Sequence, residues 1–399
     1  MQRLVVTVAL LVGCRGDHDQ HAAPTPPAPA VASSVSATST LPKLPSSPDG
    51  VEELRVINGQ VAQLRTDPSN RVSFINILLG RAGITQALED FVEAVAVSET
   101  AIKATPDDPA AWKGRAQALS RVHRFAAARE VVEHLKAMDP QGSWRELAAT
   151  LDEATGHPEL AAPVREATAK ILHRPEVLTQ LAANLALRGK LDEAIALIPK
   201  AAAAARDNSP VMFAWLDFQW GRLYEQAGQM ARARDLFADA HRRLPSYLEA
   251  IVHLAGAMSA TGQDPRALIT AALAENPHPE LLALAGKTAE ATIAWERYLA
   301  ALPEAFSDHA ARFYLGPGAD PARALVLAQA NLENRDTPEA RSLVVEAALA
   351  ANDPVRACSV VDPLVTAPLH AQQFIAWRAL SSCGRKADAD RLAVTLGIR

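Results

Sequence analysis

The chain has 399 residues, of which 49% are hydrophobic and 5% aromatic, and its formal net charge at pH 7 is −5. A chain of this length can form two globular domains or one extended body. Its slightly acidic balance offers no basic stripe to neutralise phosphates, so the composition argues against nucleic-acid binding.

The first residues have the pattern of a short secretory signal. Arg3 supplies a positive charge, an apolar run covers residues 4–12, and Gly13-Cys14 follows. The run is too short to span a bilayer as a helix. Residues 11–14 resemble the lipobox of bacterial lipoproteins, which implies that residues 1–13 are removed and that the Cys14 thiolate accepts a lipid. The alternatives are an unprocessed hydrophobic N-terminus and a mis-assigned start codon.

Residues 14–50 are rich in Ala, Pro, Ser and Thr and contain almost no large apolar side chain. Such a segment cannot form a core, so it is predicted to be a disordered tether. Fully extended, it would reach about 100 Å at roughly 3.1 Å per residue. Because Arg15 rather than Asp follows Cys14, the acidic inner-membrane retention signal is missing. We therefore expect a lipid anchor in the outer membrane of a bacterial cell envelope, facing the periplasm.

Residues 220–245 predict two short helices folded back on each other. From Met230 onward, apolar residues recur at three- and four-residue steps and form one helical stripe. Gly228 supplies the turn because it tolerates positive φ, and Pro245 ends the unit. Gly221 lets the paired backbones approach closely.

Similar segments recur at intervals of about 34 residues, the length of a helix-turn-helix repeat. The pattern resembles the tetratricopeptide repeat, although Asp217 and Trp220 replace the first Trp and the Leu of its motif. The resemblance implies an all-α, right-handed superhelical solenoid of antiparallel helix hairpins. The residues of 220–245 that match the motif are Gly221, Tyr224, Ala233, Phe237, Ala240 and Pro245.

The motif is clear over residues 51–275 and weaker over residues 276–399, where helical hairpins are still predicted. Residues 275–320 contain Gly286 and Gly316-Pro317-Gly318, which indicate an irregular joint. We therefore expect an N-terminal repeat solenoid continued by degenerate C-terminal repeats.

The resemblance also implies that the first helices of successive hairpins line a concave groove that binds a protein or peptide. Trp215, Phe218 and Arg222 share one helical stripe, and an aromatic pair beside Arg is typical of a binding hot spot. The alternative is that Trp215 and Phe218 pack against the adjacent repeat. The full set of predicted groove residues is Lys113, Gln117, Arg121, Arg145, Asp152, Trp215, Phe218, Arg222 and Glu225.

Cys358 and Cys383 remain once Cys14 is assigned to lipid. Cys358 falls early in the second helix of one predicted hairpin, and Cys383 falls late in the first helix of the next. Antiparallel neighbours bring those ends together, so a disulfide is feasible in an oxidising compartment. The alternative is a pair of small buried thiols.

The sequence contains no His-Glu-x-x-His, Gly-x-Ser-x-Gly, phosphate-loop or dinucleotide-binding motif. It therefore predicts neither an enzyme nor a bound metal or cofactor. The leading hypothesis is a membrane-anchored scaffold for protein–protein interaction in the cell envelope. One alternative is an accessory subunit that helps to assemble an outer-membrane secretion or polysaccharide-export complex. Another is an enzyme or enzyme subunit acting on cell-wall material.

Overall fold

A computed structural model describes residues 41, 43–139, 142, 144–206 and 209–398. Over these residues the regular structure consists of 21 α-helices and two short 3-10 helices, at Pro68–Asn70 and Asp362–Leu364, with no strand. Cys14, the predicted signal peptide and most of the predicted tether lie outside the described residues.

The α-helices are numbered in chain order. They are α1 (Gly50–Arg65), α2 (Arg71–Thr85), α3 (Leu88–Ala104), α4 (Pro109–Arg121), α5 (Phe125–Met138), α6 (Trp144–Ala154), α7 (Pro158–Ile171), α8 (Pro175–Leu187), α9 (Leu191–Ala204), α10 (Pro210–Gln226), α11 (Met230–Arg243), α12 (Leu248–Ala260), α13 (Arg266–Glu275), α14 (Pro279–Leu284), α15 (Thr288–Ala301), α16 (Pro303–Leu315), α17 (Pro321–Asn334), α18 (Pro338–Ala350), α19 (Pro354–Ser359), α20 (His370–Ser382) and α21 (Lys386–Leu396).

After α1, the described helices pair in sequence as ten antiparallel hairpins, from α2/α3 to α20/α21. The predicted all-α solenoid of helix hairpins is confirmed. Hairpins continue across residues 275–320, where the irregularity is a short first helix, α14, of six residues. Many helices begin with Pro, whose missing N–H would be unpaired at that position in any case.

The hairpin α10/α11 has the densest core, and it shows why the sequence is small at certain positions. Trp220, Phe213 and Phe237 are fully buried there. Gly221 lies close to Phe237, since a Cβ at that position would come within 2.5 Å of the ring. Gly228 has φ of 70°, as the predicted turn requires. Close approach of the paired helices therefore depends on Gly221.

The solenoid winds back onto itself. Asn276 donates to the Thr85 carbonyl over 2.8 Å across 191 residues, and the Tyr298 hydroxyl donates to the Gln86 carbonyl over 3.3 Å across 212 residues. Leu88, Phe91 and the C-terminal aromatics Trp295 and Phe306 belong to one hydrophobic cluster. The predicted N-terminal and C-terminal parts therefore share a core, because each turn of the superhelix packs on the preceding one.

This contact between turns continues along the chain. The Asn334 side chain donates to the His123 carbonyl over 2.9 Å. A Cβ on Gly156 would come within 2.1 Å of the Asp336 carbonyl oxygen, and one on Gly189 within 2.8 Å of Pro368. At each of these points the contacting residues are separated in sequence by roughly one turn of the superhelix.

The end of the predicted tether is packed, which corrects the expectation of disorder for residues 43–49. Leu44 is buried in the main hydrophobic cluster. The Arg243 guanidinium donates to the Pro45 carbonyl over 2.8 Å and to the Leu44 carbonyl over 3.3 Å. The same guanidinium forms a buried ion pair with Asp217 at 2.7 Å. The chain therefore leaves the solenoid at the α10/α11 hairpin, not at α1.

Cys358 and Cys383 form a disulfide between α19 and the residue that follows α20, with their Cα atoms 6.3 Å apart. The bond closes a short loop, and a cross-link of this kind restricts the unfolded chain. It links the last two hairpins, where the repeat motif is weakest.

Gly221→Ala should lower stability by about 1–3 kcal/mol, because the added methyl overlaps the Phe237 ring. Gly80→Ala in α2 is the matched control, since a Cβ there meets nothing within 4 Å. We expect this control to raise stability by roughly 0.5–1 kcal/mol through helix propensity. Thermal unfolding followed by circular dichroism compares the two variants. Equal midpoints would contradict the close packing of α10 on α11.

Candidate functional site

Three of the predicted groove residues, Trp215, Phe218 and Arg222, are buried, which corrects the expectation of an exposed aromatic pair beside an Arg. Trp215 is 4% exposed and Phe218 is 3% exposed. The Phe218 ring packs between Tyr247 and His253, at centroid distances of 5.2 and 5.3 Å. These side chains fill the space between α10 and α12. The packing alternative therefore holds for Trp215 and Phe218.

Arg222 and Glu225, also predicted for the groove, are joined by a histidine from the next hairpin. Arg222 Nη1 lies 2.8 Å from His253 Nε2, and His253 Nδ1 lies 3.1 Å from a Glu225 carboxylate oxygen. A guanidinium can only donate, so Nε2 accepts and the proton sits on Nδ1, facing Glu225. Burial and the Arg222 charge lower the pKa of His253 well below its ordinary value. His253 is therefore a neutral bridge between a cation and an anion.

This bridge belongs to a larger set that we call the interior cluster. Glu249 accepts from Gln86 Nε2 over 3.2 Å, and His309 Nδ1 lies 2.6 Å from a Glu280 carboxylate oxygen. Burial raises the pKa of Glu249, while the charges of Arg121, His309 and Arg222 oppose that shift. The residues of the interior cluster are Arg121, Arg222, Glu225, Glu249, His253, Glu280 and His309.

A second polar contact adjoins the interior cluster where the α4/α5 turn meets α16. His123 Nδ1 lies 3.2 Å from the Glu304 carbonyl oxygen, and Asp308 forms a buried ion pair with Arg335. Burial opposes ionisation of Asp308, but the charges of His309 and Arg335 prevail and hold its pKa below the usual range. Charged groups thus line the contact between turns.

The remaining predicted groove residues lie on α4 and α6. Lys113 and Arg145 are exposed, whereas Gln117, Arg121 and Asp152 are partly buried. Lys113, Gln117 and Arg121 are four residues apart, so they follow one helix face that runs from solvent into the interior cluster. Arg145 covers the Trp144 ring at 5.5 Å. Asp152 forms an ion pair with Arg129 at 2.8 Å and is not part of that cluster.

Sequence reasoning missed Glu249, His253, Glu280 and His309, although two signals mark this region. Glu249 and Glu280 each occupy the second position of a first helix, where a carboxylate favours the helix N-terminus. The other signal is the type of residue that occupies the positive-φ position in each hairpin turn.

That turn residue is Gly in six hairpins and has a side chain in four. A side chain there costs roughly 1 kcal/mol. Ala319 and Asn352 are exposed, whereas Gln86 (φ 54°) and His123 (φ 56°) are buried against the next turn. Gln86 and His123 therefore lie at two of the places where successive turns meet, and the turns at Gly156 and Gly189 lie at two others.

The charged groups of the interior cluster pair with one another, as Arg222 and Glu225 do through His253. The cluster's carboxylates and guanidinium groups are held by neighbours from several helices, so they are fixed in position. Within the described ranges no group of three or more His, Cys, Asp or Glu side chains is arranged to hold a metal ion. None of the helices in this part of the chain is long and apolar enough to cross a bilayer.

The tetratricopeptide-repeat family model matches residues 86–151, which cover α3, α4, α5 and most of α6. Over these residues the chain matches the tetratricopeptide repeat. No curated protein matches the sequence. The matched region contains Lys113, Gln117, Arg121 and Arg145, so the exposed part of the predicted groove lies on the repeats that fit the family.

Several solved structures have a similar course of helices. A chain of the APC/C hetero-tetramer Cut9–Hcn1 is 12% identical, with a TM-score of 0.43 over 77% of this chain and 59% of that one. The human IFIT1 dimer with m7Gppp-AAAA is 15% identical, with a TM-score of 0.43 over 78% of this chain and 76% of that one. A tetratricopeptide repeat protein from Parabacteroides merdae is 14% identical, with a TM-score of 0.37 over 74% and 99%.

Stability should fall as the pH drops below about 6.5, because several buried histidines are neutral in the fold. Burial lowers the pKa of His278 from 6.5 to about 4. The contribution of neutral His278 to the free energy of unfolding is therefore complete above the pKa of 6.5 of the unfolded chain. It is lost as the pH falls towards the folded-state pKa of about 4, by at most about 1.4 kcal/mol per pH unit.

His278→Asn tests this contribution, because Asn can still cap α14 in place of His278 Nδ1, which accepts from the Glu280 N–H. Urea unfolding at pH 7.5 and 5.0 should show a smaller loss of stability for the variant than for the wild type. An equal loss of stability between pH 7.5 and 5.0 in the variant and the wild type would contradict the contribution of His278.

Proposed function

We propose that this chain is a scaffold that binds a segment of a partner protein along α4 and α6, and that a lipid on Cys14 anchors it in a bacterial cell envelope. The observation that carries the binding proposal is the exposed polar face of the repeats that match the family model. Repeat solenoids present such extended surfaces to their ligands.

The partner surface is assigned to α4 and α6 because the structure leaves their polar side chains accessible. Lys113 and Arg145 are exposed, and Trp144 beside Arg145 is half-buried. Arg and Trp are the residue types most enriched in binding hot spots. A partner segment with acidic side chains fits this surface, since Lys113 and Arg145 are both cationic and exposed.

The anchoring proposal is supported by the lipobox-like residues 11–14 and the Pro-rich segment that follows. Leu44 is buried in the core of the solenoid, and the Arg243 guanidinium of the middle hairpins donates to its carbonyl. A lipid-anchored tether would therefore hold the solenoid near its centre and leave α4 and α6 free to meet a partner.

A photo-crosslinking residue at Lys113 or at Arg145 should capture the same partner in intact cells. The matched control is Lys103 on α3, which is exposed but lies on the second helix of its hairpin. Adducts at both test positions and none at Lys103 are expected. The same adduct at Lys103, or none at the test positions, would contradict the assigned surface.

The identity of the crosslinked partner bears on the finer alternatives, and a Cys14→Ser variant tests the lipid anchor. An adduct with an outer-membrane secretion or polysaccharide-export subunit would identify the scaffold as an accessory part of that machine. In a Cys14→Ser background the protein should appear in the soluble fraction. Retention in the membrane fraction would contradict the lipid anchor while leaving the binding surface intact.

A further inference from the structure

The residues before α1 lie on the α10/α11 hairpin as a bound peptide would. We call residues 43–49 the strap. Within it Leu44 is buried and Ser47 is half-buried, whereas the other five residues are exposed. Leu44 enters the hydrophobic cluster of the middle hairpins, and Leu41, three residues earlier, packs partly buried against the same cluster. A polyproline-type chain has three residues per turn, so side chains with this spacing share one edge.

A single guanidinium recognises the main chain of the strap. Arg243 donates to the carbonyl oxygens of Leu44 and Pro45, over 3.3 and 2.8 Å. It also donates to the Ser47 hydroxyl over 3.4 Å. A polyproline-type chain makes no hydrogen bonds of its own, so its carbonyls are available to accept. These contacts read an extended backbone and one Leu, as in the recognition of Pro-rich ligands.

The recognition site is built into the hairpin and does not need the strap. Arg243 Nε donates to Asp217 over 2.7 Å, and the guanidinium lies over the Phe213 ring at 5.3 Å. Asp217 is 2% exposed and Arg243 is 7% exposed. The carboxylate and the ring both come from α10, and together they fix the planar guanidinium so that its remaining N–H groups face the strap. The site is therefore preorganised for a second ligand once the strap leaves.

The strap can leave without unfolding the solenoid. It buries one side chain, and five of its seven residues are exposed. Segments of this kind open at far lower cost than the core. The strap ends at Gly50, where a Cβ would come within 2.1 Å of the Arg243 carbonyl oxygen. Opening therefore stops at α1 and leaves α10 and α11 in place.

We propose that this site binds an extended Leu-Pro segment of another protein, and that the strap is an internal ligand that competes for it. The strap shows the chemistry that the site accepts, because Leu44 enters the apolar cluster while its carbonyl and that of Pro45 meet the guanidinium. An internal ligand lowers the apparent affinity for an external one by the fraction of molecules in which the site is open. The inference depends neither on the surface of α4 and α6 nor on the lipid at Cys14.

Fluorescence anisotropy of a labelled peptide with the sequence of residues 41–49 tests this site in the full chain carrying Cys14→Ser. Burial raises the pKa of Asp217 to about 7, so the titration is made at pH 8, where the carboxyl is ionised. Leu44→Ser in the chain weakens the internal ligand and should tighten peptide binding about ten-fold or more over the wild type. The matched control is Leu160→Ser on α7, a residue that is 59% exposed; it should leave peptide binding at the wild-type level.

Two further changes test the recognition itself. A peptide carrying Leu44→Asp should bind the Leu44→Ser chain about 30-fold more weakly, because a charge then faces the apolar cluster. Arg243→Lys in that chain should remove most of the gain, since an ammonium lacks the planar fork that reaches Asp217 and two carbonyls together. The proposal would be overturned by no binding to the Leu44→Ser chain, by equal affinities of that chain and the wild type, by equal binding of the two peptides, or by undiminished binding to the Arg243→Lys chain.

A measurement on the unaltered strap covers the case in which Leu44→Ser disturbs the fold. Endoproteinase Lys-C cuts after Lys43, which is exposed but adjoins the buried Leu44. Unlabelled peptide carrying Lys43→Gln should displace the strap and raise the rate of this cut about three-fold or more, since cleavage follows the open population. The cut after Lys103 on α3 is the internal control and should keep its rate. An unchanged rate at Lys43, at peptide concentrations that saturate the anisotropy signal, would overturn the proposal.

Discussion

The fold depends on contact between successive turns of the superhelix. A helix hairpin cannot bury its apolar face alone, so each one relies on its neighbours along the chain. Here the hairpins also rely on those one turn away, because Leu88 and Phe91 share a core with Trp295 and Phe306. Hydrogen bonds across 163 to 212 residues hold the two turns in register. The weakly patterned C-terminal repeats are thereby supported by the well-patterned N-terminal ones.

The same contact determines what the concave side can do. In an open solenoid, the first helices face a free groove. In this chain, the interior near α10 and α12 is filled by the packed rings of Phe218, Tyr247 and His253. Charged groups then meet within the structure, and Arg222 and Glu225 hold His253 between them instead of waiting for a ligand. Accessible polar side chains remain on α4 and α6, nearer the start of the solenoid.

Local features of the fold followed from the sequence. The three- and four-residue apolar spacing, Gly228 in its turn and Gly221 beside Phe237 are all interactions within one hairpin, and such interactions leave a pattern. The contact between turns joins residues far apart in sequence, so periodicity does not reveal it. This is why Trp215 and Phe218 could be read either as groove or as core. It is also why the packing of Leu44 on the α10/α11 hairpin was missed: one Leu in a Pro-rich segment carries no period.

A distance between Glu89 on α3 and Arg297 on α15 tests the closed superhelix most directly. These exposed residues form an ion pair across the two turns, 208 residues apart in sequence. Spin labels on Glu89→Cys and Arg297→Cys, with Cys14→Ser, would report the distance by pulsed electron paramagnetic resonance. Contact between turns predicts a narrow distribution below about 25 Å, allowing for two label arms beyond helices that pack 8–10 Å apart. An open solenoid stacking six hairpins at about 10 Å each predicts roughly 50 Å or more, and that result would contradict the closed fold.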